Sequence, residues 1–162
     1  YWDLGSSAPW QFAVLTEIVD YVCWLGGQFS DATDRRGLFV AGITHIELHE
    51  RALLALLLDG NENATGMREM RGVEVFLDHE DLTKRDLILG IGFERIDCTQ
   101  AVVEYAKHGV TVYERVATSI YSKRMLESFG IAGTVRVSPL HCNSVADVEK
   151  FLQITARIAA DT

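Results

Sequence analysis

The chain has 162 residues, 48% of them hydrophobic, and 23 acidic against 15 basic side chains give it a formal net charge of −8. That is enough apolar material for one core of ordinary size, and the wrong sign for a partner gripped through its phosphate backbone, so nucleic acid is not expected. No apolar run approaches the roughly 20 residues needed to cross a bilayer and no basic-then-apolar leader opens the chain, so no membrane partner and a cytoplasmic location are expected. Cys23, Cys98 and Cys142 are odd in number, widely spaced and without a C-x-x-C pair, which predicts three free thiols and neither a disulfide framework nor a zinc ribbon. The first residues are Tyr1-Trp2 with no Met, and a piece of a larger protein is expected.

After the turn-like Leu4-Gly5-Ser6-Ser7, the stretch from Trp10 to Leu25 is apolar on most of its circumference and stops at Gly26-Gly27, a helix ending. A second helix is expected from Ser30-Asp31, whose oxygens can take the N–H groups of a first turn, to about Leu58, with Gly37 and Gly42 as points of possible breakage. Residues 60–72 show no apolar period and read as a loop. Val73–Leu77 and Leu87–Phe93 read as strands, the second buried on both faces, with Gly90-Ile91-Gly92 marking close strand packing. Asp97 with Gln100 predicts a helix start, Gly109 its end, and Val110–Tyr113 the next strand. A short helix over Ser122–Ser128 ends at Gly130. A strand around Arg136 follows, and Ser144-x-x-Asp147 caps a last helix whose Val145, Val148, Leu152, Thr155 and Ala159 recur at steps of three and four. The pattern is α+β: a small sheet covered by helices on one side, preceded by two long helices. Residues 1–29 are expected to be a linker turn and helix, and 30–162 the small α+β domain.

Arg136 stands between Val135 and Val137 in a β-branched run. A guanidinium is always charged, and its planar fork fits a carboxylate through two parallel hydrogen bonds. Arg136 is therefore the first candidate for substrate binding; the alternative is a structural ion pair with one of the acidic residues. His45-x-x-x-His49 with Glu47 has the spacing of a helical metal site, but a metalloprotease needs Glu after the first His and Ile46 stands there, so no metal is expected. Arg115, Lys123 and Arg124 form a small basic cluster, and the ordinary role of such a cluster is a solvated face.

The order of these features resembles the C-terminal part of the class V aminotransferase and cysteine desulfurase-like branch of the fold-type I pyridoxal 5'-phosphate (PLP) enzymes. The likeness rests on Asp3-Leu4-Gly5-Ser6 leading into a long helix, on His49-Glu50 with Leu53, and on Arg136-Val137-Ser138 followed by Asn143-Ser144 and Asp147-Val148. Cys142 stands where the family has an aromatic residue. The resemblance implies that Arg136 binds the α-carboxylate of an amino-acid substrate, that Ser6 reaches the PLP phosphate, and that Tyr121, Ser122 and Arg124 lie in an active-site loop. It further implies a homodimer with sites between subunits. The Schiff-base lysine, the Asp that pairs with the pyridine nitrogen and the ring-stacking aromatic precede this region in the family. Lys84, Lys107, Lys123 and Lys150 stand in no such context, so the chain alone is expected to be inactive and not to hold PLP covalently. Desulfurases of this branch also use a loop cysteine ahead of the Arg strand, and residues 99–141 contain none. A transaminase, epimerase or β-lyase, a transferase or lyase acting on an amino acid, is therefore favoured over a persulfide-forming desulfurase. The alternative from another class is a non-catalytic, stand-alone α+β binding module using the same Arg.

Overall fold

The computed structural model describes residues 8–161. Its elements run α1 (Pro9–Gly26), α2 (Arg35–Asp59), β1 (Gly60–Asn61), β2 (Ala64–Thr65), β3 (Val73–Phe76), β4 (Leu89–Phe93), α3 (Cys98–Lys107), β5 (Tyr113–Val116), α4 (Lys123–Ser128), β6 (Gly133–Val137) and α5 (Val145–Asp161), with one-turn 3-10 segments at Met67–Glu69 and Leu82–Lys84. The expected α+β order of two long helices before a small sheet is thus found. The chain divides into two compact units, residues 1–49 and 50–162, and the boundary falls within α2.

In the first unit the glycines set the helix packing. A Cβ on Gly26 would run into the Leu38 carbonyl, and one on Gly42 into the Val22 carbonyl, so the two backbones approach more closely than any side chain allows. Gly26 is therefore a packing residue as well as the end of α1, and Gly27 closes the helix with its N–H on the Cys23 carbonyl at 3.0 Å. The second helix begins later than its sequence signal. Ser30 Oγ closes a local turn by accepting the Ala32 N–H at 3.1 Å, and Asp34 Oδ1 caps the helix by accepting the Gly37 N–H at 2.9 Å. Neither Gly37 nor Gly42 breaks it, and α2 is continuous over 25 residues. On α1, Trp10, Phe12, Leu15, Ile18 and Trp24 are all exposed, while Val22 is buried.

The second unit is built on an antiparallel sheet in the order β3-β4-β6-β5. Side chains alternate across a strand. Leu89 and Ile91 of β4 and Val135 and Val137 of β6 are buried in the core with Ala101 and Tyr105 of α3, Phe151 and Leu152 of α5, and Leu53, Leu54, Leu57 and Leu58 of α2. Gly90, Gly92, Thr134 and Arg136 occupy the alternate positions, which face the opposite side of the sheet. A Cβ on Gly92 would stand 2.8 Å from the Phe76 ring and one on Gly90 2.9 Å from Thr134 Oγ1, which is the close packing expected of Gly90-Ile91-Gly92.

Three expectations are corrected here. Residues 60–72 are not plain loop: β1 and β2 form a hairpin in which Asn61 Oδ1 accepts the N–H groups of Asn63 and Ala64 at 2.9 and 3.1 Å. Two-residue strands are too short to show an alternating pattern. The strand after α3 begins at Tyr113, not Val110. The Val110 N–H turns back to the Tyr105 carbonyl at 3.1 Å, behind Gly109 at φ +69°, and Val112 drops into the core. That β-branched run closes a helix before it enters a sheet. In α5 the buried face starts at Val148, since Val145 is exposed.

Candidate functional site

Register fixes Arg136 first. In β6 it pairs with Gly90 of β4 on one side and Tyr113 of β5 on the other. Its Nε donates to Ser138 Oγ at 3.2 Å, which restrains the plane of the guanidinium, and its two terminal nitrogens have no hydrogen-bond partner among the described residues. Pro139 cannot continue the strand ladder, and the chain turns: the Leu140 N–H donates to Asn143 Oδ1 at 2.8 Å while the Asn143 N–H donates to the Leu140 carbonyl at 2.9 Å. The Ser144 N–H then donates to Asp147 Oδ2 at 2.8 Å and the Asp147 N–H to Ser144 Oγ at 3.2 Å. This reciprocal pair opens α5 as the sequence predicts. The backbone N–H of Ser144, then its hydroxyl, hold the Asp147 carboxyl below the usual carboxylate range.

These elements border an open cleft of about 320 Å³ between the ends of β5 and β6, the segment after α3 and the first turns of α5. Leu57, Val112, Val137, Val148 and Phe151 line it and are buried. The polar lining includes Arg136, Ser138, Asn143, Asp147 and Lys150. Among the described residues Arg136 has no carboxylate partner, its one side-chain hydrogen bond being that to Ser138. No described carboxylate forms the structural ion pair weighed as the alternative for this residue. Lys150 Nζ reaches the Gly109 carbonyl at 3.5 Å and lies one helical turn beyond Asp147, whose charge it favours.

The other candidate residues stand elsewhere. Tyr121 is 94% exposed, Ser122 is buried with its hydroxyl donating to the Val116 carbonyl at 2.8 Å, and Arg124 is exposed at the start of α4. None of the three lines the cleft with Arg136. Ser6 and the turn Asp3–Ser6 lie outside the described residues. His45 is committed locally, its Nδ1 2.9 Å from the Ala41 carbonyl and its ring stacked on Phe29 with centroids 4.1 Å apart. All three thiols are free, and burial pushes that of Cys98 up. No described helix is long and apolar enough to cross a membrane.

A covalently held PLP needs a lysine sheltered enough to be neutral near pH 7. Lys84, Lys107 and Lys123 sit in solvent beside Asp81, Glu104 and Glu127 at 3.6, 2.7 and 3.9 Å, and Lys150 is exposed. The residues of this chain therefore do not fit that group.

The backbone can be matched to known structures. It superposes on the apo cysteine desulfurase of Thermococcus onnurineus NA1 with a TM-score of 0.63 and 20% identity over 79% of this chain and 29% of that one. This chain has the fold of part of a cysteine desulfurase. The cysteine desulfurase CsdA of Escherichia coli, solved in an S-sulfonic acid form, gives a TM-score of 0.58 and 18% identity over 82% of this chain and 32% of that one. The chain thus spans about a third of the desulfurases it matches, and at this identity the likeness is one of fold. No protein-family model and no curated protein matches it. The segment from β5 to β6 carries no cysteine, and Ile120 and Tyr121 within it are exposed.

Proposed function

We propose that the chain is the C-terminal, substrate-carboxylate-binding domain of a PLP-dependent class V enzyme acting on an amino acid. One observation carries this reading: a guanidinium fixed in the middle of a strand, opening on a cleft, with no described carboxylate to neutralise it. Two terminal nitrogens without a described partner, on a plane restrained by Ser138, suit bidentate binding of a carboxylate, which would fix the orientation of the substrate as well as its charge. The cofactor would be held by protein outside this chain's own residues, and a homodimer with sites between subunits belongs to the same proposal. The missing cysteine between Thr99 and His141 supports a transaminase, epimerase or β-lyase over chemistry that needs a thiolate nucleophile. The four solvated lysines favour a second reading, a non-catalytic binding module for small carboxylates that uses the same Arg.

Both are tested in the full reading frame that encodes this chain. Purified with PLP, that protein should turn over an amino acid, and Arg136→Ala should lower kcat/KM by a few kcal/mol equivalent, roughly 30- to 1000-fold, with only partial recovery in Arg136→Lys. Turnover unchanged in Arg136→Ala ends the anchor assignment. A full-length product that neither binds PLP nor acts on amino acids, yet binds carboxylates through Arg136, selects the module.

A further inference from the structure

Strand register places a second cation beside Arg136. Residues paired across an antiparallel ladder point to the same side of the sheet. Arg136 pairs with Tyr113 and Thr134 with Arg115, so Arg115 is the diagonal neighbour of Arg136 on the face opposite the core, roughly 7–8 Å from it. Arg115 is exposed on the edge strand β5. Among the described residues neither guanidinium is paired with a carboxylate. Glu114 points to the other face, where its charge bears on the Cys98 thiol. Glu74 shares the outer face but stands on β3 opposite Gly92, three strand spacings or roughly 14 Å from Arg115, which is beyond the screening length at physiological salt. The β3–β4 half of the face is covered by the Phe76 ring, since a Cβ on Gly92 would stand 2.8 Å from Phe76 Cζ and one on Gly90 3.8 Å from Cδ2. The Thr134 hydroxyl is spent on the Ile91 carbonyl at 3.0 Å. What remains open is Arg136, Tyr113 and Arg115: two like charges side by side, on a chain whose net charge is −8. An anion that meets both gains charge-assisted contacts and removes their mutual repulsion.

We infer that this half of the sheet face binds a short dicarboxylate, with one carboxylate on Arg136 and the second on Arg115. This deepens, and rests on, the assignment of Arg136 as carboxylate anchor. The substrate class it names is an amino acid with an acidic side chain. Arg136 and Tyr113 border the cleft and Arg115 does not, so the second carboxylate lies just beyond the cleft, along β5 past Tyr113. Arg115 acts on specificity, by contact with that group, and Arg136 on affinity for any carboxylate. Lys150 is the rival second cation, but it already has Asp147 one helical turn before it, whose charge it favours, and the Gly109 carbonyl at 3.5 Å.

The test is titration calorimetry at low ionic strength on the protein of the full reading frame, with glutarate and its monoamide 5-amino-5-oxopentanoate, which match in shape and differ by one charge. Glutarate is expected to bind about tenfold more tightly, as one added charge-assisted contact should give. Arg115→Gln should abolish that preference and leave the Kd of the monoamide unchanged, while Arg115→Lys should keep part of the preference. Arg136→Gln should weaken both ligands. A thermal melt matching the wild type shows each variant to be folded, as replacement of an exposed side chain on an edge strand should allow. If the preference for glutarate survives in Arg115→Gln, or is lost in Lys150→Gln instead, or if Arg115→Gln weakens both ligands equally, the second subsite is overturned and the anchor assignment survives. If Arg136→Gln binds both ligands as the wild type does, or if neither ligand binds the wild type, the anchor assignment fails and this inference with it.

Discussion

Tyr105 is the residue through which the cleft floor is held to the rest of the core. It is fully buried, its ring stacks on Phe151 with centroids 5.3 Å apart and planes at 3°, and its hydroxyl lies 2.6 Å from Thr155 Oγ1. Thr155 Oγ1 in turn lies 2.8 Å from the Phe151 carbonyl. A carbonyl only accepts, so the single threonine proton goes to Phe151 and Tyr105 must be the donor to Thr155. Tyr105→Phe then removes one buried neutral hydrogen bond while Thr155 keeps its bond to the backbone, a loss of about 1 kcal/mol. Thr155→Val removes the acceptor and strands a buried phenol donor, which costs about 2 kcal/mol. In the double variant nothing is stranded, so its cost should fall below the sum of the two by about 1 kcal/mol. Burial also pushes the Tyr105 phenol far up, and this adds a pH signature. The unfolded chain releases that proton above about pH 10 and the folded chain does not, so stability is full below that pH and falls by about 1.4 kcal/mol per unit above it. Urea denaturation of the four variants near neutral pH, and of the wild type and Tyr105→Phe in alkali, measures both effects. Additive single variants, or an alkaline slope as steep in Tyr105→Phe, would refute the assignment of Tyr105 as the donor.

Gly42→Ala tests the helix contact in the first unit: the gain in helix propensity of about 1 kcal/mol is outweighed because the new Cβ meets the Val22 carbonyl and stands 2.9 Å from Val22 Cγ1, and a net loss of roughly 1–2 kcal/mol is expected in a thermal or urea melt. A neutral or stabilising result would mean that the two backbones separate at no cost. Mixing the chain with PLP should give no stoichiometric covalent adduct, since its lysines are solvated; one modified lysine that survives dialysis, located by mass spectrometry, would contradict this.

Much of the architecture was legible because it is written in local chemistry. Asp97 accepting the Gln100 N–H at 2.9 Å, Gly109 and Gly130 at positive φ, and the Ser144–Asp147 pair are punctuation that a sequence displays directly. The misplacements have a common cause, which is that a local signal was spent on something non-local. Val110 and Val112 have strand propensity, but one closes a helix and the other fills the core. Ser30 and Asp31 could have capped α2, and Asp34 does so. Gly26 signals an ending, yet its lack of a Cβ is required by Leu38, twelve residues away.

The site divides in the same way. Arg136 is visible because a charged residue inside a Val-rich strand stands out against its neighbours, and such local conflicts are where candidates for function are sought. Nothing in the spacing of Leu57, Val112, Lys150 and Phe151 says that their separate segments border one cleft with Arg136. Tyr121, Ser122 and Arg124 show the converse. A hydroxyl between two polar neighbours looks available in the sequence, but the Ser122 proton belongs to the Val116 carbonyl, and its side chain makes no cap bond to α4. An unpaired cation can therefore be nominated from sequence, whereas the walls that decide what it binds come from non-local packing. For this chain the cleft that Arg136 borders takes its lining from α2, α5 and the segment after α3, none of them adjacent to Arg136 in the sequence, and only their packing brings them to it.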